Sequence, residues 1–248
     1  MAKSNGVLKI EGTVEDLTFY KLNGKNFVRR KGGISKERID TEANFVRTRE
    51  NNSEFKHSAA AGMELRTALG SMVFKAKDSK LSSRMLKLFS VIKNLDTTSA
   101  RGSRQVSIGL TTAAGKAALI GFDFNLHAPL NSVLHAPYDL DTATGKISFT
   151  DLLPAEQFHY PQGATHVSIQ SAVLGIDFAT GVSDVAYSNT ENLALNLTMS
   201  SPTLTPTSFP AGTLHLFMMM VSFYQEVNGV QYSLKNEENN VLNIIDVV

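Results

Sequence analysis

The sequence feature that most constrains the fold is a hairpin signal near the C-terminus, in the stretch TLHLFMMMVSFYQEVNGVQYSL (213–234). Its Asn228-Gly229 pair is the preferred centre of a type I′ turn, because both central positions of that turn adopt positive φ. A turn at this point places three pairs of residues opposite one another: Val227 and Val230, Gln225 and Tyr232, and Phe223 and Leu234. We therefore predict a long strand, a two-residue turn and a return strand, around which the rest of the chain packs.

The first strand of this hairpin contains an unbroken apolar run, Leu216 to Val221. The run is too short to cross a bilayer, which takes about 20 residues, so it indicates a strand covered on both faces. Three of its residues are methionines, whose thioethers bind soft Cu(I). Successive side chains of a strand point to opposite faces, however, so Met219 cannot share a site with Met218 and Met220. The run therefore predicts core packing, a usual role of methionine.

Composition limits the setting in which the protein is expected to work. Its 248 residues include no cysteine, which excludes disulfides and thiolate metal sites and is consistent with a reducing compartment. The opening stretch MAKSNGVLKIEGTVEDL lacks the apolar core of a secretory signal, and no segment is long enough to span a membrane. We therefore expect a cytoplasmic protein that contacts no membrane, or one that reaches the exterior by lysis or another non-classical route.

Charge is distributed very unevenly along the chain, although the net charge is only +1. Residues 1–104 contain 21 Lys and Arg against 11 Asp and Glu, whereas residues 105–248 contain 3 against 12. The two parts thus carry +10 and −9. The change falls in a polar, turn-rich stretch, DTTSARGSR (96–104). We therefore predict a basic hairpin and helical domain over residues 1–100 and an acidic β-sandwich domain over residues 101–248.

Three interpretations of this charge split are open. The two surfaces can simply be solvated and differ without functional consequence. Alternatively, the basic part of one copy contacts the acidic part of the next, a head-to-tail contact that generates rings or open filaments. The third interpretation is that the basic part binds nucleic acid.

A second hairpin is predicted from Leu17 to Lys31, with Asn23 and Gly24 in its turn, after a strand from Val7 to Val14. This register opposes two pairs of apolar residues, one on each face: Tyr20 with Phe27, and Phe19 with Val28. A small basic sheet with two apolar faces must be covered. We expect the helices that follow to cover one face and a partner copy to cover the other.

Two helices are predicted next. The first covers Thr41 to Leu69, with a loose apolar stripe: Phe45, Phe55, Ala59, Met63 and Leu69. The second runs from Asp78 or Ser79 to about Leu95, and its apolar residues follow the spacing of one buried helical face: Leu81, Met85, Leu88, Phe89, Ile92 and Leu95. Beyond them, alternation predicts strands, beginning with Val106 to Leu110. The predicted class is α+β, with an N-terminal β-hairpin plus two helices and a C-terminal antiparallel β-sandwich.

The sequence contains only incomplete versions of the motifs that bind metals or carry out catalysis. Asp139 and Asp141 resemble the start of a calcium loop, but Gly145 is one position late and a third ligand is missing, so turn chemistry explains them better. The histidine pairs lack the spacing of metal ligands: His159 with His166, and His127 with His135. Neither a nucleophile elbow nor a dinucleotide fingerprint is present. We therefore predict no catalytic, cofactor-binding or metal-ligating residues, no cofactor, and a protein that is not an enzyme.

Two stretches carry a resemblance to a family: Phe45-Val46-Arg47-Thr48-Arg49-Glu50-Asn51 and Phe223-Tyr224-Gln225-Glu226-Val227-Asn228-Gly229. Together with the opening segments LTFYK and KGGIS, they make the chain resemble a family of uncharacterised bacterial proteins of similar length. That family has no assigned activity, so the resemblance supplies no catalytic residues. It implies that both parts of the chain form one conjoined unit. The chain departs from the family pattern at Glu237-Glu238, where a small Gly-Ala pair is expected.

We favour the hypothesis of a structural protein that assembles with copies of itself into a filament, tube or shell, of which a capsid or tail component is a special case. The apolar C-terminal stretch VLNIIDVV (241–248) is expected to pair with an edge strand of a neighbouring copy. The candidate interface residues, with Glu156 as a further acidic group, are Phe19, Tyr20, Phe27, Arg29, Arg30, Lys31, Arg38, Asp139, Asp141, Asp151, Ile244, Ile245 and Val247. The alternative hypotheses are a monomeric module that binds carbohydrate or protein and an enzyme whose site is assembled only by the fold.

Overall fold

The computed structural model describes residues 10–234 and 238–248, together with the backbone of residues 2–3. Residues 7–9 of the first predicted strand lie outside the described residues, as does Glu237 in the departure from the family pattern. Helices and antiparallel sheets both contribute to the fold, which confirms the predicted α+β class.

The chain divides into two compact units, residues 1–49 and residues 50–248. This division differs from the boundary predicted at residue 100 from the change in charge. The reason is that helical residues such as Phe89 share a hydrophobic core with sheet residues such as Met218. Surface charge therefore does not mark the limits of a core in this chain.

The first unit contains a four-stranded antiparallel sheet. Its strands, in the spatial order β1-β4-β3-β2, are β1 (Ala2–Lys3), β2 (Gly12–Val14), β3 (Leu17–Leu22) and β4 (Lys25–Arg30). Helix α1 (Lys36–Thr41) and a 3-10 helix (Ala43–Phe45) follow the sheet. The turn between β3 and β4 has positive φ at Asn23 (49°) and Gly24 (76°), as a type I′ turn requires. The predicted register of this hairpin is confirmed for both apolar pairs.

The second unit combines helices with two further sheets. Its helices, the first of which begins at the end of the first unit, are α2 (Val46–Leu69), α3 (Ser71–Lys75), α4 (Leu81–Lys93), α5 (Val106–Gly109), α6 (Ala113–Leu119), α7 (Leu130–Val133) and α8 (Pro154–Gln157). Its strands are β5 (Tyr138–Asp141), β6 (Lys146–Phe149), β7 (His166–Asp177), β8 (Val182–Ala194), β9 (Thr203–Leu204), β10 (Leu214–Val227), β11 (Val230–Ser233) and β12 (Val241–Val247). The strand predicted from Val106 to Leu110 is wrong. Val106 begins helix α5 and Leu110 directly follows it, so these two buried residues are about one helical turn apart on the same side.

Strand β10 is the centre of the second unit. One edge of β10 pairs with β7 from Leu214 to Tyr224, and the other edge pairs first with β12 and then with β11. Strand β8 continues the sheet beyond β7. The predicted hairpin between β10 and β11 is confirmed, because Asn228 and Gly229 have φ of 51° and 77°. In the same hairpin, the Leu234 amide donates to the Phe223 carbonyl at 3.2 Å.

Both faces of β10 are buried from Leu216 to Phe223, and they belong to different cores. Met218 and Met220 lie in the core that contains helical residues such as Phe89 of α4. Met219 lies in the second core, together with Ile147 of the small sheet formed by β5, β6 and β9. The prediction that Met219 faces away from its two neighbours is therefore confirmed. The central sheet separates a helical layer from the small sheet.

Helix α4 buries most of its predicted stripe, but helix α2 does not. In α4, Met85 and Phe89 are fully buried. In α2, the predicted members Phe55 and Met63 are each 58% exposed. The face that α2 does bury consists of Glu54, Ser58, Ala61, Gly62, Leu65 and Leu69. This face differs from the predicted one, and it includes Glu54, a residue that periodicity assigns to the outside but that takes part in a buried ion pair.

Two hairpin turns of the second unit share the sequence Asp-x-Ala-Thr-Gly, over residues 141–145 and 177–181. The Asp141 carboxylate accepts hydrogen bonds from the Thr144 hydroxyl at 2.6 Å and from the Ala143 amide at 2.9 Å. The second turn repeats both bonds. The bond from Thr144, followed by that from Ala143, lowers the pKa of the Asp141 carboxyl. The assignment of Asp141 to turn chemistry is therefore confirmed.

Candidate functional site

Apolar side chains line both faces of the sheet in the first unit, yet none of residues 10–49 is buried. One face is called here the aliphatic face, because three of its four apolar residues are aliphatic: Val14, Leu17 and Val28, with Phe19 as the fourth. The other, the aromatic face, consists of Tyr20, Leu22 and Phe27. A unit this small that buries none of these side chains fully has too little core to be stable by itself. Both faces are therefore candidate contact surfaces.

Two of the three predicted aromatic residues of the first unit, Tyr20 and Phe27, form a local cluster. The rings of Tyr20 and Phe27 stack with centroids 5.7 Å apart and planes inclined by 22°. The Arg29 guanidinium lies 5.6 Å from the centroid of the Tyr20 ring, within the range of a cation–π contact. Phe19, on the opposite face, is also half-buried. The cluster is thus a half-buried pair of rings with the Arg29 cation beside it.

The four predicted basic residues of the first unit are all exposed: Arg29, Arg30, Lys31 and Arg38. Arg38 forms two hydrogen bonds with the Glu42 carboxylate, at 2.5 and 3.1 Å, so its charge is compensated locally. Arg30 lies 3.8 Å from the Asp16 carboxylate. Among the described residues, Arg29 and Lys31 have no carboxylate partner. These two cations are the ones best placed to meet an acidic partner.

The predicted C-terminal residues lie in the core and not on the surface. Ile244 and Val247 are 0% and 5% exposed, and Ile245 is half-buried. Strand β12 pairs with β10 of the same chain, and on its other side the amides of Gly121 and Phe124 donate to β12 carbonyls at 2.7 and 2.8 Å. Both sides of β12 are thus already engaged. We therefore remove these three residues from the candidate interface.

The predicted acidic residues are exposed, and two of them flank an apolar loop. The stretch around Asp151 and Glu156 runs beside the loop that contains Leu197 and Met199, which are 69% and 58% exposed. Backbone hydrogen bonds join the two stretches, among them those from Leu152 to Ser200 at 2.7 Å and from Ala155 to Asn196 at 3.1 Å. We call Asp151, Glu156, Leu197 and Met199 the acidic patch. Asp139 is exposed on β5.

Sequence reasoning missed a groove between helices α2 and α4. Two adjoining hollows of about 450 and 210 Å³ share Arg66 and Ser82 as lining residues. Met63 and Phe74, 58% and 72% exposed, line the larger hollow. The Lys77 ammonium lies 5.2 Å from the centroid of the Phe74 ring. We call these two hollows the helical groove. Its signal in the sequence was the apolar stripe of α2, which the prediction placed in the core.

Helices α2 and α4 are also joined by a buried ion pair, whose two residues are not part of the groove lining. The Lys93 ammonium donates to the Glu54 carboxylate, and the two residues are 8% and 5% exposed. Glu54 also accepts from the Gly102 amide at 2.8 Å, and the Arg104 Nε lies 3.8 Å away. Burial by itself raises the pKa of Glu54, but the hydrogen bonds from Lys93 and Gly102 outweigh it and hold the pKa below its ordinary value. The pair anchors the loop between α4 and α5, so its role is structural.

A cleft of about 510 Å³ in the second unit brings together two histidines that the sequence left apart. His127 and His159 line it, with Tyr160 beside them. Their segments meet because the His159 amide donates to the Val133 carbonyl at 2.8 Å. The described residues contain no group of three or more His, Asp or Glu placed to hold a metal. Its described lining also includes Ser132, Gln162 and Phe223, so polar and aromatic side chains meet in the cleft.

Within the part of the chain that the structure describes, no helix has the length and apolar character needed to cross a membrane. Comparisons with protein-family models, with curated proteins and with solved structures gave no match.

Proposed function

We propose that this protein is a non-enzymatic structural protein that assembles with copies of itself, head to tail, into a filament, tube or shell. The observation that carries the proposal is the first unit, whose sheet presents apolar residues on both faces while none of residues 10–49 is buried. Apolar area that is removed from water stabilises an assembly by about 25 cal/mol per Å². A second copy that covers the aliphatic or the aromatic face would supply this burial.

The charge split supports a head-to-tail contact over a symmetric one. Residues 1–104 carry +10 and residues 105–248 carry −9. A two-fold contact through the basic part would bring like charges together, whereas a head-to-tail contact pairs opposite charges. Exposed ion pairs contribute only about 0–1 kcal/mol each, so apolar contacts must supply most of the free energy of association. The charges determine the head-to-tail orientation of neighbouring copies and the pairing of the basic part with the acidic part.

The proposal also covers how the two sheets of the second unit are arranged. We describe it as an antiparallel sandwich in which the small sheet of β5, β6 and β9 covers one face of the central sheet. Ile147 and Phe149 of the small sheet share a core with Met219 and Val221 of β10, which supports this arrangement. A rigid sandwich would hold the contact surfaces of each copy in a fixed arrangement, so that successive copies assemble with the same geometry.

The substitution Leu17→Ser tests the proposed role of the aliphatic face. Leu17 is 44% exposed, and covering a side chain of this kind contributes about 1 kcal/mol, so we expect self-association to weaken about fivefold. Sedimentation velocity over a concentration series measures the change. The matched control is Ile120→Ser, because Ile120 is also 44% exposed but lies outside the first unit. Equal behaviour of both variants and the wild type would count against the proposal.

The cleft that contains His127 and His159 favours a second candidate function, a monomeric module that binds carbohydrate or protein. In that case an oligosaccharide or peptide from a screen raises the thermal unfolding temperature, and His159→Ala weakens binding about tenfold, the effect of losing about 1.4 kcal/mol. His135→Ala is the control, because His135 is exposed and lies outside the lining of the cleft. If no compound in such a screen shifts the unfolding of the wild type, the second candidate is wrong.

A further inference from the structure

The helical groove combines apolar walls with uncompensated positive charge. Arg66 and Lys77 line it, and Lys80 is exposed beside it. The acidic residue in its described lining, Asp78, is already neutralised, because its carboxylate accepts from Arg84 at 2.5 Å. Among the described residues, neither Lys77 nor Lys80 has a carboxylate partner. The groove is therefore suited to an apolar segment that carries negative charge.

The acidic patch has the complementary properties. Leu197 and Met199 are among the most exposed large apolar residues of the second unit. The stretches that form and flank the patch, residues 150–157 and 190–205, contain Asp151, Glu156 and Glu191 but no lysine or arginine. Like the groove, this surface keeps apolar side chains in contact with water, but its charge has the opposite sign.

We infer that the acidic patch of one copy docks into the helical groove of the next copy, with Leu197 and Met199 against Met63 and Phe74. The inference rests on the proposed self-assembly and names a second contact within it. A groove and a patch on different surfaces form a heterologous contact, which propagates from copy to copy. Opposite charges at the rims select this pairing over patch-to-patch and groove-to-groove contacts, where like charges repel.

Substitutions that change the sign of the net charge on either side test this contact in the full-length chain. The groove variant carries Lys77→Glu and Lys80→Glu. The patch variant carries Glu156→Lys and Asp151→Asn, with asparagine chosen because Asp151 has a φ of 51°, which asparagine tolerates. We expect each variant alone to associate about tenfold more weakly than the wild type at low salt. An equimolar mixture of the two is expected to recover association to within about threefold of the wild type, because the reversed charges again match.

The apolar part of the contact has a matched pair of substitutions. Leu197 and Val182 are both 69% exposed, but Val182 lies at the start of β8 and outside the acidic patch. Leu197→Ser is expected to weaken association about fivefold, whereas Val182→Ser leaves it unchanged. Circular dichroism and thermal unfolding establish whether the variants are folded. We expect them to be, because the substituted side chains are exposed.

The outcomes separate this inference from the proposal on which it rests. If Leu17→Ser weakens association while the groove and patch variants associate like the wild type, the docking contact is wrong and self-assembly stands. If the wild type is monomeric at every salt concentration, both fail. If the groove variant loses affinity for a single-stranded oligonucleotide but keeps wild-type self-association, the groove is a nucleic-acid site and the inference is overturned.

Discussion

Replacing Glu54 with alanine is expected to lower the free energy of unfolding by about 3–5 kcal/mol, the usual cost of removing one partner of a buried ion pair. The cost arises because the Lys93 ammonium stays buried, at 8% exposure, without its carboxylate. The Gly102 amide also loses its acceptor. Urea unfolding followed by circular dichroism measures the change. A loss below about 1 kcal/mol would mean that water compensates Lys93 and that the pair is exposed in solution.

A double substitution separates the ion pair from the hydrogen bond. Glu54→Gln with Lys93→Met removes both charges but keeps an acceptor for the Gly102 amide. Removing both charges of a buried pair is often close to neutral, so we expect this variant to recover most of the stability that Glu54→Ala loses. If the double variant is as unstable as Glu54→Ala, the loss comes from packing and not from an unpaired charge.

The pH dependence of stability provides a further readout of the same pair. Burial alone would raise the pKa of Glu54, but its hydrogen bonds hold the folded-state pKa below the ordinary value of 4.5. Protons therefore bind the unfolded state more readily, and the contribution of Glu54 is full above pH 4.5 and declines as the pH falls towards the folded-state pKa. Glu54→Gln is expected to remove this component, so its unfolding free energy falls less steeply in acid. An unchanged slope would contradict the assignment.

Replacing Gly145 with alanine is expected to destabilise the protein by about 3 kcal/mol, against about 1 kcal/mol for Gly181→Ala. Both glycines end an Asp-x-Ala-Thr-Gly turn with a φ of 74°, so the backbone strain is the same and costs about 1–2 kcal/mol. A β-carbon at Gly145 would lie 2.3 Å from Val173 Cγ2 and 3.2 Å from Pro206 Cγ, whereas one at Gly181 would meet nothing closer than 3.8 Å. Overpacking of this kind costs about 1–3 kcal/mol more.

Thermal or urea unfolding of the two glycine variants measures this difference directly. Because the turns share sequence and backbone conformation, each variant is the control for the other. Equal losses would show that the small sheet moves aside to accommodate the new methyl group, and that the packing around Gly145 is looser than its distances imply.

The features that could be predicted from the sequence are those fixed by neighbouring residues. Asn-Gly pairs determine two hairpin turns and their registers. Strand alternation places Met219 on the opposite face from Met218. The stripe of α4 was predicted for the same reason, because its period is local. These features can be predicted without knowing which distant residues pack against them.

The features that were missed depend on residues that are distant in the sequence. The buried face of α2 includes Glu54, whose burial depends on Lys93, 39 positions away. Periodicity alone therefore assigned Phe55 and Met63 to the core and left the helical groove unrecognised. The acidic patch likewise joins two stretches about 40 residues apart, which only their backbone hydrogen bonds bring together. The apolar C-terminal strand β12 likewise pairs with β10, a distant strand of its own chain, and not with a neighbouring copy.

Self-assembly is the central claim, and the wild-type chain tests it most directly. Sedimentation velocity and negative-stain electron microscopy would follow the purified protein through the micromolar range, at low and at high salt. We predict filaments, tubes or shells at low salt whose size grows with concentration. At high salt, where screening shortens the reach of exposed charges to about 3 Å at 1 M, we expect fewer or shorter assemblies. A monomer of constant mass at both salt concentrations would contradict the account.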